Sequence, residues 1–156
     1  MAAAAAWMIG AASAAPPPSV FVAKVGVGDL CEKTSSQIVV ASTRNPDVRR
    51  FATMLIVDHG KSSQMVRSAA RRSGLHPPAP ALDPTQRRMI ADLRRTAGWR
   101  DRDMAYIEQQ KQAHAETLSL MQDYAAAGAV PPSRRVAGDI VPVGQHHIDM
   151  LNSIGR

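Results

Sequence analysis

The 156-residue chain is 45% hydrophobic but only 4% aromatic, and it carries a net charge of +6 at pH 7 with its histidines neutral. That length suits one domain with a sizeable core, and the aromatic scarcity disfavours a sheet sandwich relative to helices packed closely through Ala and Met. One cysteine, Cys31, excludes an intramolecular disulfide and any CxxC redox or metal motif.

The chain opens with MAAAAAWMIGAASAAPPP, a run too short and alanine-rich to read as a membrane-spanning helix. Its small residues from Ala12 to Ala15, followed by Pro16-Pro17-Pro18, fit a secretory cleavage region, although the run lacks the usual Lys/Arg start. Residues 1–15 are expected to be a signal peptide or a disordered Ala-rich tail, and residues 16–156 a single helical-bundle domain.

Residues 20–42 read as the first helix, with Phe21, Val25, Gly28, Glu32, Ser35 and Val39 on one face. Asn45-Pro46-Asp47 makes a turn, with Asn45 as helix cap and Pro46 at the first helical position. The second helix extends to about residue 73, striped by Val48, Phe51, Leu55, His59, Ser62 and Val66, and Gly74 ends it. A Pro-rich connector, LHPPAPAL, leads to Asp83, which caps a short helix carrying Met89, Ile90 and Leu93. After Thr96-Ala97-Gly98 a long helix covers residues 100–127, striped by Met104, Ile107, Lys111, His114, Leu118, Met121 and Ala125. The last helix carries Val136, Ile140, Val143, His147, Leu151 and Ile154, and Pro142 within it predicts a kink or a break. The pattern is all-α: two hairpins in a bundle, with an additional short helix in the crossover between them.

Four polar residues interrupt the apolar stripes, one on each long segment: Glu32, His59, His114 and His147. Glu32 stands thirteen residues before position 45 and His59 fourteen after it, so an antiparallel hairpin sets them level. His114 and His147 stand sixteen before and seventeen after position 130, level in the same way. The two heights coincide only if the crossover allows it. Buried charges demand partners, and one carboxylate with three imidazoles suits a divalent transition metal: zinc, iron, manganese or copper. Asp58, beside His59, is expected as an acceptor behind a metal ligand or as a ligand from the bundle edge. The competing reading is a metal-free buried network in which Glu32 pairs with a histidine. Ile56, Lys111 and Gly144 occupy the positions three before the histidines, so the Glu-x-x-His pairs of a di-iron site are missing.

Arginine doublets recur at 49–50, 71–72, 87–88, 94–95 and 134–135, dispersed and without interleaved aromatics. They predict a solvated basic surface rather than a specific nucleic-acid partner, with an anionic envelope surface as the intermediate option. Cys31 is expected to be a buried, inert side chain. His146 should face away from His147, His76 belongs to no constellation, and Trp99 should pack the short helix onto the bundle. No nucleophilic triad or phosphate-binding loop is present.

The pieces FVAKVGVGDLCEK, NPDVRRFATMLIVDHGKSS, GWRDRDMAYIEQQKQAHAETLSLMQDYAAAG and VPVGQHHIDML resemble a bacterial secreted family, the domain of unknown function family 4142. The specific elements are Asp58-His59 with a following Lys, Asp103 with Tyr106, His114, and His147 five residues after Pro142. Gly144 stands where the family carries a bulky apolar residue. The resemblance implies export, a periplasmic or secreted location, and a ferritin-like four-helix bundle, and it favours His147 over His146. It brings no established activity. The sequence thus points to an exported bundle, metal-binding or stress-related. The alternatives are a ferritin-like oxidase or peroxidase, and a cationic module for nucleic acid or anionic envelope polymers.

Overall fold

Proline and capping side chains set the helix starts. The structure, a computed structural model describing residues 15–154, contains five helices and, among the described residues, no strand. Apart from Ala15, the expected leader lies outside the described residues. Helix α1 spans Pro18–Ser42 and α2 spans Pro46–Arg72. Between them the Asn45 side chain accepts from the amides of Asp47 at 2.9 Å and Val48 at 3.3 Å, as the sequence predicts. Gly74 follows α2 with φ of 77°, a left-handed conformation that favours glycine.

Helix α3, Pro84–Arg95, opens on a capping box: the Asp83 carboxylate accepts from the Gln86 amide, and the Gln86 side chain accepts from the Asp83 amide. Helices α4, Trp99–Ala127, and α5, Pro131–Ile154, form the second hairpin. Arg102 on α4 donates to the carbonyls of Leu93 and Thr96, tying down the orphaned carboxyl end of α3. In the bundle, α1 packs on α2 and α4, α5 packs on those same two helices, and α3 lies outside against α1 and α4.

Two apolar cores result, separated by a polar layer. One joins Phe21, Val25, Val66, Met121, Tyr124 and Ala137, with the Phe21 and Tyr124 rings stacked at 3.7 Å between centroids. The other joins Val39, Phe51, Leu55, Leu93, Tyr106 and Leu151. All ten residues of the arginine doublets are exposed.

The α2 stripe is buried throughout, as expected, but α4 departs from its predicted phase. Met104 is 60% exposed, and the buried face comprises Asp103, Tyr106, Gln110, His114, Met121 and Tyr124. The expected stripe holds at His114 and Met121 but is one position late in the first half of the helix, because Asp103 and Gln110 are buried through polar contacts that apolar periodicity does not register. Asp103 accepts from the Thr43 hydroxyl at 2.6 Å, and Gln110 donates to Ser35 at 3.1 Å.

On α5, Val143 is exposed and Gly144 takes the inward side, where Leu118 approaches a Cβ position to 3.6 Å and fills the space. Pro142 does not break α5. It lies on the exposed face, and Gly138, whose carbonyl loses its helical partner, is exposed too, so water can satisfy that oxygen. The helical phase is kept: His147 is buried and His146 exposed. Trp99 is half-buried, with the Arg100 guanidinium over its ring at 4.6 Å.

Gly128 closes α4 where a Cβ would come within 2.5 Å of the Tyr124 ring and 2.6 Å of its carbonyl oxygen. The stacked Phe21 ring restrains that tyrosine. Gly128→Ala should therefore cost about 1–3 kcal/mol, the usual penalty of overpacking. It would be read as a lower urea midpoint, and an unchanged midpoint would show that the ring yields freely.

Candidate metal centre

The polar layer gathers the four side chains that the sequence singles out. Glu32, His59, His114 and His147 are 3%, 7%, 3% and 2% exposed, and one nitrogen of each imidazole lies within 4.8 Å of the others. The two hairpins thus bring their polar pairs to a common height. Glu32 Oε2 forms a close ion pair with His59 Nε2 and lies 3.7 Å from His114 Nε2. His114 Nε2 lies 3.1 Å from His147 Nδ1. Phe51 borders the cluster, its ring 6.3 Å from that of His114 and edge-on to that of His147 at 6.4 Å.

Each imidazole turns its other nitrogen outward to an oxygen. His59 Nδ1 donates to Asp29 Oδ1 at 2.8 Å, and the Ser63 hydroxyl donates to the other oxygen of that carboxylate. His114 Nδ1 donates to the Gln110 carbonyl at 2.9 Å. A carbonyl only accepts, so in neutral His114 the proton stays on Nδ1 and Nε2 carries a lone pair. His147 then has two neighbours that both accept: Asp58 Oδ2, 3.1 Å from its Nε2, and the His114 lone pair. A neutral ring has one N–H and serves only one of them. With that N–H on Asp58, two lone pairs face each other across 3.1 Å.

Charge is distributed unevenly across the layer. Burial by itself would lower the His59 pKa, but the Glu32 charge and the bond to Asp29 outweigh it and raise the ring to about 10. Burial would raise Glu32, and the positive charge of His59 reverses this and holds it low. Burial pushes the Asp29 carboxyl up against the pull of its bond with His59. His114 and His147 are lowered by burial, His147 to about 4. At neutral pH a metal-free layer thus holds one imidazolium, His59, flanked by two carboxyl groups, beside two neutral rings. Cys31 is buried and its thiol raised to about 11, chiefly by burial, so it stays protonated.

Asp58 meets His147 rather than its neighbour His59, and Lys61 Nζ stands 3.8 Å from its other oxygen. Asp29 was not anticipated. It sits one turn before Glu32, and the apolar stripe assigned that height to Gly28. The Asp29-x-x-Glu32 spacing, which stacks two carboxylates on one helix face, was the available signal. Gln110 lies one turn before His114 in the same way. His76 lies in the exposed connector, outside the cluster.

A helical bundle crossed at mid-height by a layer of three histidines and two carboxyl groups is the class that fold and site define. The chain belongs to the family described as domain of unknown function DUF4142, whose profile matches residues 4–154. No curated protein matches the sequence. Among solved structures it is similar to a DUF305 fragment from Deinococcus radiodurans at 17% identity and a TM-score of 0.74, covering 91% of this chain and 97% of that one. It is also similar to a Streptomyces coelicolor DUF305 protein, described as a "putative secreted protein", at 16% identity and a TM-score of 0.73, covering 90% and 92%. At such identities the likeness concerns the fold.

The two oppositely shifted histidines set a stability optimum for the metal-free protein. His147, lowered to about 4 from 6.5, stabilises fully above pH 6.5, and that contribution is lost as pH falls towards 4. His59, raised to about 10 from 6.5, stabilises fully below pH 6.5, and that contribution is lost as pH rises towards 10. Urea midpoints measured in chelator should therefore peak near neutrality and fall on both sides. A midpoint that is flat across this range would contradict the charge assignment.

Proposed function

We propose that this protein binds one divalent transition-metal ion in the polar layer, through Glu32, His59, His114 and His147. The observation that carries the reading is the polarity of the three rings. Each has an outward nitrogen held by an oxygen, from Asp29, Gln110 or Asp58, and an inward nitrogen turned towards its neighbours and Glu32. Oxygen acceptors behind ligating histidines are the usual means of fixing their tautomer and orientation. A cation among the inward atoms removes the conflict at His147: its Nε2–H stays on Asp58, and the two facing lone pairs both find a partner. Asp58 and Asp29 then orient ligands rather than bind.

The donor set narrows the ion. Imidazole nitrogen and one carboxylate suit zinc, copper, iron or manganese better than calcium or magnesium, with intrinsic affinity rising from manganese through iron to copper. The missing Glu-x-x-His pairs support a single ion rather than a di-metal oxidase. On this reading the architecture is ferritin-like, with a reduced centre in the bundle interior. We place the protein in the periplasm or outside the cell, on the strength of its N-terminal run. No described helix is long and apolar enough to cross a membrane.

Protein purified without a histidine tag and exposed to zinc, iron, manganese and copper should retain one ion per chain in elemental analysis. The absence of stoichiometric metal with all four would overturn the proposal. His114→Leu should abolish the zinc-dependent rise in melting temperature, because a ligand that binds only the folded state stabilises it by mass action. An equal shift in zinc and in chelator would assign His114 to a metal-free network instead.

Binding should also release a proton. His59 carries one at neutral pH and must lose it to offer Nε2 to an ion. Zinc titrations by calorimetry in two buffers of different ionisation enthalpy should give about one proton released per zinc at pH 7. Identical heats in the two buffers would exclude His59 as a ligand.

A further inference from the structure

The four converging side chains are buried, so an ion needs a route to them. A cavity of about 610 Å³ lies between α1, α4 and the start of α3. Of the four proposed ligands Glu32 alone lines it, and no histidine of the cluster does. Gln110 and Ser35 line it beside Glu32. The Ser35 hydroxyl donates to the Glu32 carbonyl, so towards Gln110 it accepts, and the Gln110 nitrogen must face it. That leaves the Gln110 amide oxygen buried without a donor, beside Glu32 Oε2, which is paired with His59. One buried oxygen without a donor and one buried carboxylate therefore belong to the wall nearest the polar layer.

The lining also has a sign. Glu32, Asp83 and Glu116 face one cation, Lys24, and no arginine lines the cleft, although the chain as a whole carries +6. The opposite approach, past half-buried Asp58, is guarded by Lys61. We propose that the cleft between α1, α4 and the α3 start is the entry and exit path of the divalent cation, with Glu32 the first ligand it meets. The proposal rests on the metal-centre reading above. Carboxylate and amide oxygens replace hydration water stepwise along such a path, and an acidic cleft concentrates cations that the basic surface would repel.

The cleft can be plugged without replacing a ligand. A Cβ on Gly28 meets nothing within 4 Å, and Ala113 lines the opposite wall. Zinc association with the full chain, and its removal by a chromophoric chelator, would be followed by stopped flow for the wild type, Gly28→Ala, Gly28→Phe and Ala113→Phe. Circular dichroism would verify the fold of each. Gly28→Ala should behave as wild type. Each phenylalanine should slow association and dissociation together, by about tenfold or more, and leave Kd unchanged, because Kd is the ratio of the two rates. Wild-type rates in both folded phenylalanine variants would overturn the route while leaving the metal centre intact, as would a weakened Kd with unchanged association. Failure of wild-type protein to bind zinc at equilibrium would overturn the metal centre, and the route with it.

Discussion

The bundle is organised around a constraint that apolar packing alone does not impose: ionisable groups at mid-height must find partners away from water. An uncompensated buried charge costs far more than a lost methylene contact. Here the groups answer one another across four helices. Asp29 and Glu32 from α1 bracket His59 of α2, His114 of α4 abuts His147 of α5, and His147 returns to Asp58 on α2. The circuit touches every long helix. Sliding any of them by one turn, about 5.4 Å, would part its polar group from the partners it meets here. The layer therefore fixes register, which the Ala-rich apolar surfaces above and below it would specify only loosely.

Much of this could be read in the chain beforehand. The caps at Asn45 and Asp83, the break at Gly74, and the α2 stripe follow from local rules, and local rules held there. The phase of α4 did not follow from them. Its buried face includes Asp103, Tyr106 and Gln110, which bond to Thr43 just past α1 and to Ser36 and Ser35 within it. Those partners are remote in sequence, so periodicity cannot supply them. The same limit hid Asp29. A carboxylate beside Gly28 on an otherwise weakly patterned helix gains meaning only when His59 arrives 2.8 Å away. The level pairing within each hairpin was legible because short turns transmit height along the chain. The coincidence of the two pairs was not, because the Pro-rich crossover sets it.

The position of the layer also explains why a basic protein keeps acidic groups inside. All ten residues of the arginine doublets face solvent, while Asp29, Glu32 and Asp103 are buried. The arginine doublets thus lie on the surface and these three carboxyl groups in the interior. Cys31, close to Glu32 in sequence, does not disturb this arrangement, because burial keeps its thiol protonated.

The chain order gives the layer a further property, one of folding sequence. The turns between α1 and α2 and between α4 and α5 are each three residues long, whereas eleven residues separate α2 from α3. Each hairpin closes over a short loop and at small entropic cost. Each also holds half of the cluster, Glu32 with His59 or His114 with His147, and neither half is complete alone. The assembled layer exists only once the hairpins dock, so its formation reports on docking rather than on helix formation. The docking of the two hairpins is thereby the event that creates the molecule's most specific chemistry.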